Sequence, residues 1–142
     1  MRTLRVATLG PKWIDRDEIL LHVAFQVLVD FVDKERPAEV CDWNADARHR
    51  KAWSEIASLH RWWTKERPRR KYPLDDKSIP HPPMRFVKVP GRAGETLVPW
   101  SRKKYARYDR ASKCQLLLER RWHAEDQRQL HRLIEVRPFL WT

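Results

Sequence analysis

The stretch Asp15-Arg-Asp-Glu-Ile-Leu-Leu-His-Val-Ala-Phe-Gln-Val-Leu-Val-Asp-Phe-Val-Asp-Lys-Glu35 decides the fold. Asp15 supplies an acceptor at the start and Glu18 stands three residues later, the pattern of a capping box. Apolar residues from Ile19 to Val32 then cover most of a helical circumference. A helix of that kind, expected over residues 15–36, has to sit in the middle of the fold with cover on several sides, from its own chain or from a dimer partner. His22, Gln26 and Asp30 interrupt the apolar run, which is too short and too polar to span a bilayer, so no membrane association is expected.

Outward from this helix the chain remains mainly helical. Pro37 disfavours helical geometry before it and stops the first helix. On the N-terminal side, residues 2–9 alternate weakly and read as a short strand ended by Gly10-Pro11. On the C-terminal side a second helix is expected over 43–67, starting near Asp42 or Asn44. Ala45, His49, Ala52, Ile56, Leu59 and Trp63 form its core stripe, and Trp62 falls well off it. Residues 68–99 hold seven of the ten prolines and form an irregular arm. Within it, Phe86-Val-Lys-Val89 and Thr96-Leu-Val98 around Pro-Gly-Arg-Ala-Gly read as a small hairpin. Tyr72, Phe86 and Trp100 are the residues expected to pack this arm against the helices. A third helix is expected from Ser101, or from nearer Asp109, to 137, with Leu118, Trp122, Leu130, Leu133 and Val136 inward; Asp126 and Gln129 interrupt that stripe.

The 142 residues contain only three glycines against eight tryptophans, which favours a helical single domain over 1–142 and argues against wide disorder. Cys41 and Cys114 are far apart with no CxxC, consistent with two reduced thiols in a cytoplasmic protein. Cys114 follows Lys113, and a buried inert thiol is the commoner role for such a residue.

Charge is unevenly placed. The first 46 residues carry six Lys/Arg and nine Asp/Glu; the other 96 carry 24 and ten. A localised positive field attracts polyanions or acidic protein surfaces. Arg110, Lys113, Arg120, Arg121, Arg128 and Arg132 share the outward side of the third helix with His131 and no carboxylate. Solvated helix faces kept merely soluble usually mix signs. With Arg67, Arg69, Arg70 and Lys71, and with Arg102 to Lys104, they are the candidate surface for nucleic acid or an acidic partner, because a guanidinium presents a planar fork of donors to phosphate or carboxylate. Trp62 beside the basic run is the candidate exposed aromatic, set against rim packing under the arm. No helix-turn-helix, zinc finger or RNA-recognition motif is present, so base-specific reading is not expected.

Chemistry is thinly represented. No Gly-x-Ser-x-Gly, phosphate-cradling glycine loop or His-Glu-x-x-His occurs, and no cofactor is expected. His22, Asp30 and Asp126 are weak metal candidates, since histidine and carboxylates on facing helices can hold an ion; the alternative is a solvent stripe on the first helix, with Asp126 pairing an arginine or capping a loop.

Asp17-Glu-Ile-Leu-Leu, Asp30-Phe-Val-Asp-Lys-Glu35, Asp42-Trp-Asn, His49-Arg-Lys-Ala-Trp53, Trp62-Trp-Thr-Lys-Glu-Arg-Pro68 and the terminal Leu140-Trp-Thr142 resemble a group of small uncharacterised Trp-rich proteins encoded by tailed bacteriophages. The resemblance supplies no site residues and omits the proline-rich centre. It implies a phage product acting in the host bacterial cytoplasm. The expected function is a non-enzymatic binder of nucleic acid or of a host nucleic-acid-handling or defence complex. The alternative is a structural or assembly component of the particle held by Trp-rich contacts.

Overall fold

The computed structural model describes residues 3–140. Among these residues the fold is mainly α, with four helices, three of them long, and one two-stranded hairpin. The helices are α1 (Arg16–Lys34), α2 (Pro37–Val40), α3 (Ala47–Arg61) and α4 (Ala106–Val136); the strands are β1 (Phe86–Lys88) and β2 (Glu95–Leu97). The chain forms two compact units: residues up to Arg70 together with those from His123 on, and Lys71–Trp122. No helix among the described residues is long and apolar enough to cross a membrane.

The first unit is built on α1 and α3 with the last turns of α4. Leu21, Phe25, Leu28 and Phe31 repeat at helical spacing and bury one face of α1. Ile56 and Leu59 of α3 and Leu133 and Val136 of α4 join the same core. Within its own chain α1 is covered by this core and by the N-terminal segment, while Leu20 and Val27 remain 61% and 44% exposed. The capping box also fails to form. Asp15 stands at the N-cap without a side-chain bond, and Glu18 turns to other partners.

The polar stripe of α1 is not a solvent stripe. Gln26 is buried, accepts the Ala7 N–H at 3.0 Å and donates to Asp30 at 2.7 Å. Thr8 Oγ1 meets His22 Nδ1 at 2.6 Å. These contacts hold the N-terminal segment as an irregular strap, so the strand expected over 2–9 is not formed among its described residues.

Arg36 enters the left-handed region at φ 49° and ends α1, and the short helix α2 follows where no element was expected. Trp43 is buried there, its Nε1–H donating to the Pro37 carbonyl at 3.0 Å. The N-cap of α3 is Asp46, which accepts the His49 N–H at 2.8 Å, so the helix starts at Ala47 and not at 43.

At its far end α3 widens into a π turn, Trp62–Glu66, followed by a 3-10 turn, Arg67–Arg69. A π turn holds about one more residue than an α turn and slows the rotation of successive side chains. Trp62 and its neighbour Trp63 therefore both point into the core, at 3% and 4% exposure. Regular 100° spacing placed Trp62 outside; this correction follows from the local change of helix type.

The second unit wraps the proline-rich segment along the first half of α4. Tyr108 and Ala111 are its buried apolar side chains on the helix. His81 and Trp100 set their rings edge-on to Tyr108, and Tyr72 does the same to Trp122. The Leu74 N–H donates to Gln115, and Arg107 donates to Ser78. The hairpin pairs Phe86 with Leu97, Val87 with Thr96 and Lys88 with Glu95. Its turn places Gly91 and Gly94 at positive φ, where a side chain is strained. Tyr72 and Trp100 pack as expected, but Phe86 is 59% exposed. Ser101 accepts at a turn before α4 and does not begin the helix, which starts at Ala106. Both cysteines are free; Cys114 is exposed, contrary to the buried alternative.

Candidate nucleic-acid interface

Two arginines of the basic run belong to the interior. Arg67 donates to Glu18 at 3.2 Å and to Asp126 at 3.1 and 3.3 Å. Arg70 donates to Glu125 at 2.8 Å and to Asp126 at 2.7 Å. Each guanidinium also lies over one of the buried indoles, Arg67 over Trp63 at 4.8 Å and Arg70 over Trp62 at 5.7 Å. Trp62 completes the knot by donating its indole N–H to Glu125 at 3.0 Å. Burial opposes ionisation of Asp126, yet the hydrogen bonds from Arg70 and Arg67 outweigh it and hold the carboxyl below the usual aspartate range. Burial likewise disfavours the charge on Arg70, and its bonds to Asp126 and Glu125 raise its pKa nonetheless.

Arg67, Arg70 and Trp62 are therefore withdrawn from the proposed contact surface: their polar groups are committed to two helices of their own unit. Arg132 is withdrawn too. It donates to Glu55 at 2.9 Å, to Ser58 at 3.1 Å and to Gln129 at 2.7 Å, and so ties α4 to α3. The sequence held a signal for this. Asp126 interrupts the inward stripe of α4, and a carboxylate facing a core needs cations beside it.

The three metal candidates are not gathered. Asp126 is engaged by the two arginines, and Asp30 by Gln26 and Lys34. His22 lies edge-on to Trp63 and 3.5 Å from Glu18; burial, and after it the Arg67 charge, push its pKa below the ordinary histidine value. Among the described residues no group of three or more His, Cys, Asp or Glu is placed to hold a metal ion.

The candidate cations that remain outward are Arg69 and Arg128 in the first unit, and Lys71, Arg102, Lys103, Lys104, Arg110, Lys113, Arg120 and Arg121 in the second. In the second unit Arg110, Lys113 and Arg121 follow one another at helical spacing on the exposed side of α4, with Leu117 between them. The proline-rich chain contributes more than the sequence patterning suggested. Lys71–Trp122 contains thirteen Lys/Arg and five Asp/Glu, a net of +8, and all thirteen cations are exposed. Among the described residues none of the thirteen forms an ion pair with a carboxylate within 4.0 Å, whereas Lys34, Arg36, Arg61, Arg67, Arg70 and Arg132 of the other unit all do. Lys77, Arg85, Lys88 and Arg92 were missed because they lie in irregular chain and a hairpin, where no periodicity marks a shared face, and Arg107 because it stands in the first turn of α4, whose start the sequence left open between Ser101 and Asp109.

The tryptophans are mostly consumed internally. Trp43 stacks on Trp53 at 5.1 Å and Trp63 on Phe25 at 4.6 Å, while Trp13 is 86% exposed. Trp141 lies outside the described residues. Comparison with known protein families, curated proteins and solved structures found no match.

Proposed function

We propose that this chain is a small phage-encoded, non-enzymatic binding protein whose Lys71–Trp122 unit engages nucleic acid, alone or within a host nucleic-acid-handling or defence complex. The observation that carries the reading is the set of thirteen exposed cations without carboxylate pairs. Like charges crowded on 52 residues repel one another, a cost that a polyanion relieves by replacing condensed counterions. The rest of the chain, with seventeen Lys/Arg and fourteen Asp/Glu, has the mixed signs of an ordinary solvated surface. Seven of the thirteen are arginines and six are lysines, and both residue types bind phosphate, the arginines through a planar fork of donors. The phage context is supported by the Trp-Trp-Thr and Leu-Trp-Thr pieces of the sequence.

The test is fluorescence anisotropy of labelled 20-nucleotide DNA and RNA with the full chain, over a salt series. Binding is expected to weaken steeply with salt. The triple variant Arg110→Glu, Lys113→Glu, Arg121→Glu should keep its helical circular dichroism, and the slope of log affinity against log salt should shrink by about 2–3. A control triple at Lys12, Lys51 and Lys65, exposed cations of the other unit, should change it far less. Absence of binding at low salt, or equal losses in the two triples, overturns the proposal.

A further inference from the structure

Two clefts of the Lys71–Trp122 unit are both lined by Pro99 and Trp100. The first, about 450 Å³, is lined by Leu97, Pro99 and Trp100 with Arg102 and Lys113 among its polar residues. The second, about 290 Å³, is lined by Pro83, Val98, Trp100 and Tyr105 with Arg85 and Lys104. Each therefore joins an aromatic residue to two cations, and Asp109 adds a carboxylate to the lining of the first.

The Trp100 ring is fixed before any ligand arrives. The indole N–H donates to Asp109 at 3.0 Å, and the ring meets Tyr108 edge-on at 5.8 Å. A ring held in this way loses little freedom on binding. A further aromatic neighbours Leu97, a lining residue of the larger cleft. Phe86 is the cross-strand partner of Leu97, which puts both side chains on one face of the hairpin, and Phe86 is 59% exposed. An exposed phenylalanine beside an aromatic cleft among unpaired cations is the combination used for stacking bases while phosphates are neutralised.

We infer that the clefts at Trp100 receive unpaired nucleobases, so that this unit binds single-stranded nucleic acid in preference to duplex. The inference rests on the nucleic-acid reading of the same unit. The larger cleft is within the range of small-ligand sites and accommodates a base with its sugar. A base inside a duplex is already stacked and paired and presents no free face to a cleft; a base in a single strand does.

The test compares a labelled 20-nucleotide thymidine strand with a 20-base-pair duplex at equal salt, using the full chain. The strand is expected to bind about tenfold or more tightly. Loss of one base-stacking wall corresponds to about a 5- to 150-fold weakening, so Trp100→Ala should weaken strand binding within that range and leave duplex binding and the salt slope unchanged. Trp100→Phe, which keeps a stacking face, should recover most of the loss. Should Trp100→Ala unfold the unit, Trp100→Leu, which fills the space without a stacking face, decides the matter: weaker strand binding supports the inference and unchanged binding overturns it. Equal affinity for strand and duplex, with the charge-reversal effect of the preceding section intact, overturns the base-stacking inference alone. Failure of both polymers to bind at low salt removes the nucleic-acid reading itself.

Discussion

Asp126 determines the role of its neighbours more than any other side chain. It is 7% exposed and receives hydrogen bonds from both Arg67 and Arg70. Removing one partner of such a group leaves buried charge uncompensated, so Asp126→Asn is expected to destabilise the first unit by about 3 kcal/mol at neutral pH. The sign of the pH dependence follows from its lowered pKa. The contribution is complete above the unfolded aspartate pKa, about 3.9, and is lost as pH falls through the lower folded value. Thermal unfolding of the wild type and the variant should therefore differ most near pH 7 and converge in strong acid; a gap that persists unchanged at pH 2 refutes the assignment. The sequence marked Asp126 as an intruder in a core stripe and marked Arg67 and Arg70 as part of a basic run. That these belong to one cluster is invisible in sequence, because 59 and 56 residues separate the partners.

At the scale of elements, periodicity was a good guide wherever the helix stayed α. The inward residues of α3 include Ala52, Ile56 and Leu59, as the spacing required. Ile56 is fully buried, and its truncation to Ala is expected to cost about 2–5 kcal/mol through lost burial and the cavity left behind. Leu117, on α4 and 64% exposed, should tolerate the same change within about 0.5 kcal/mol. Urea unfolding of the two variants checks both values; a large loss at Leu117 would mean that its face is covered in solution. The guide failed at Trp62-Trp63, where the π turn changes the angle per residue, and at Asp15, where Arg67 and His22 compete for the glutamate that a capping box needs. The hairpin was legible because positive φ at Gly91 and Gly94 needs glycine, and the chain has only three. The polar stripe of α1 was seen, but its use as a seat for the N-terminal strap depends on Ala7 and Gln26 meeting across 19 residues.

Across the whole molecule, apolar burial and positive charge are divided between the two units. Among the described residues the fully buried large side chains, Phe25, Leu28, Ile56 and Leu59, belong to the first unit, and the net +8 segment is the second. Local stability follows the density of buried apolar contacts. Amides of Leu130 to Val136 are therefore expected to exchange with deuterium on the order of tenfold more slowly than those of Lys113 to Glu119, although all lie in the same helix α4. Uniform protection along α4 would contradict this division. The sequence by itself determined the helical class, the hairpin, the core stripes and the excess of positive charge, because each of these is written in local composition and spacing. Only the tertiary structure decided which cations face outward. An arginine looks the same in sequence whether it meets solvent or a carboxylate brought from some sixty residues away, and only folding brings that carboxylate to it.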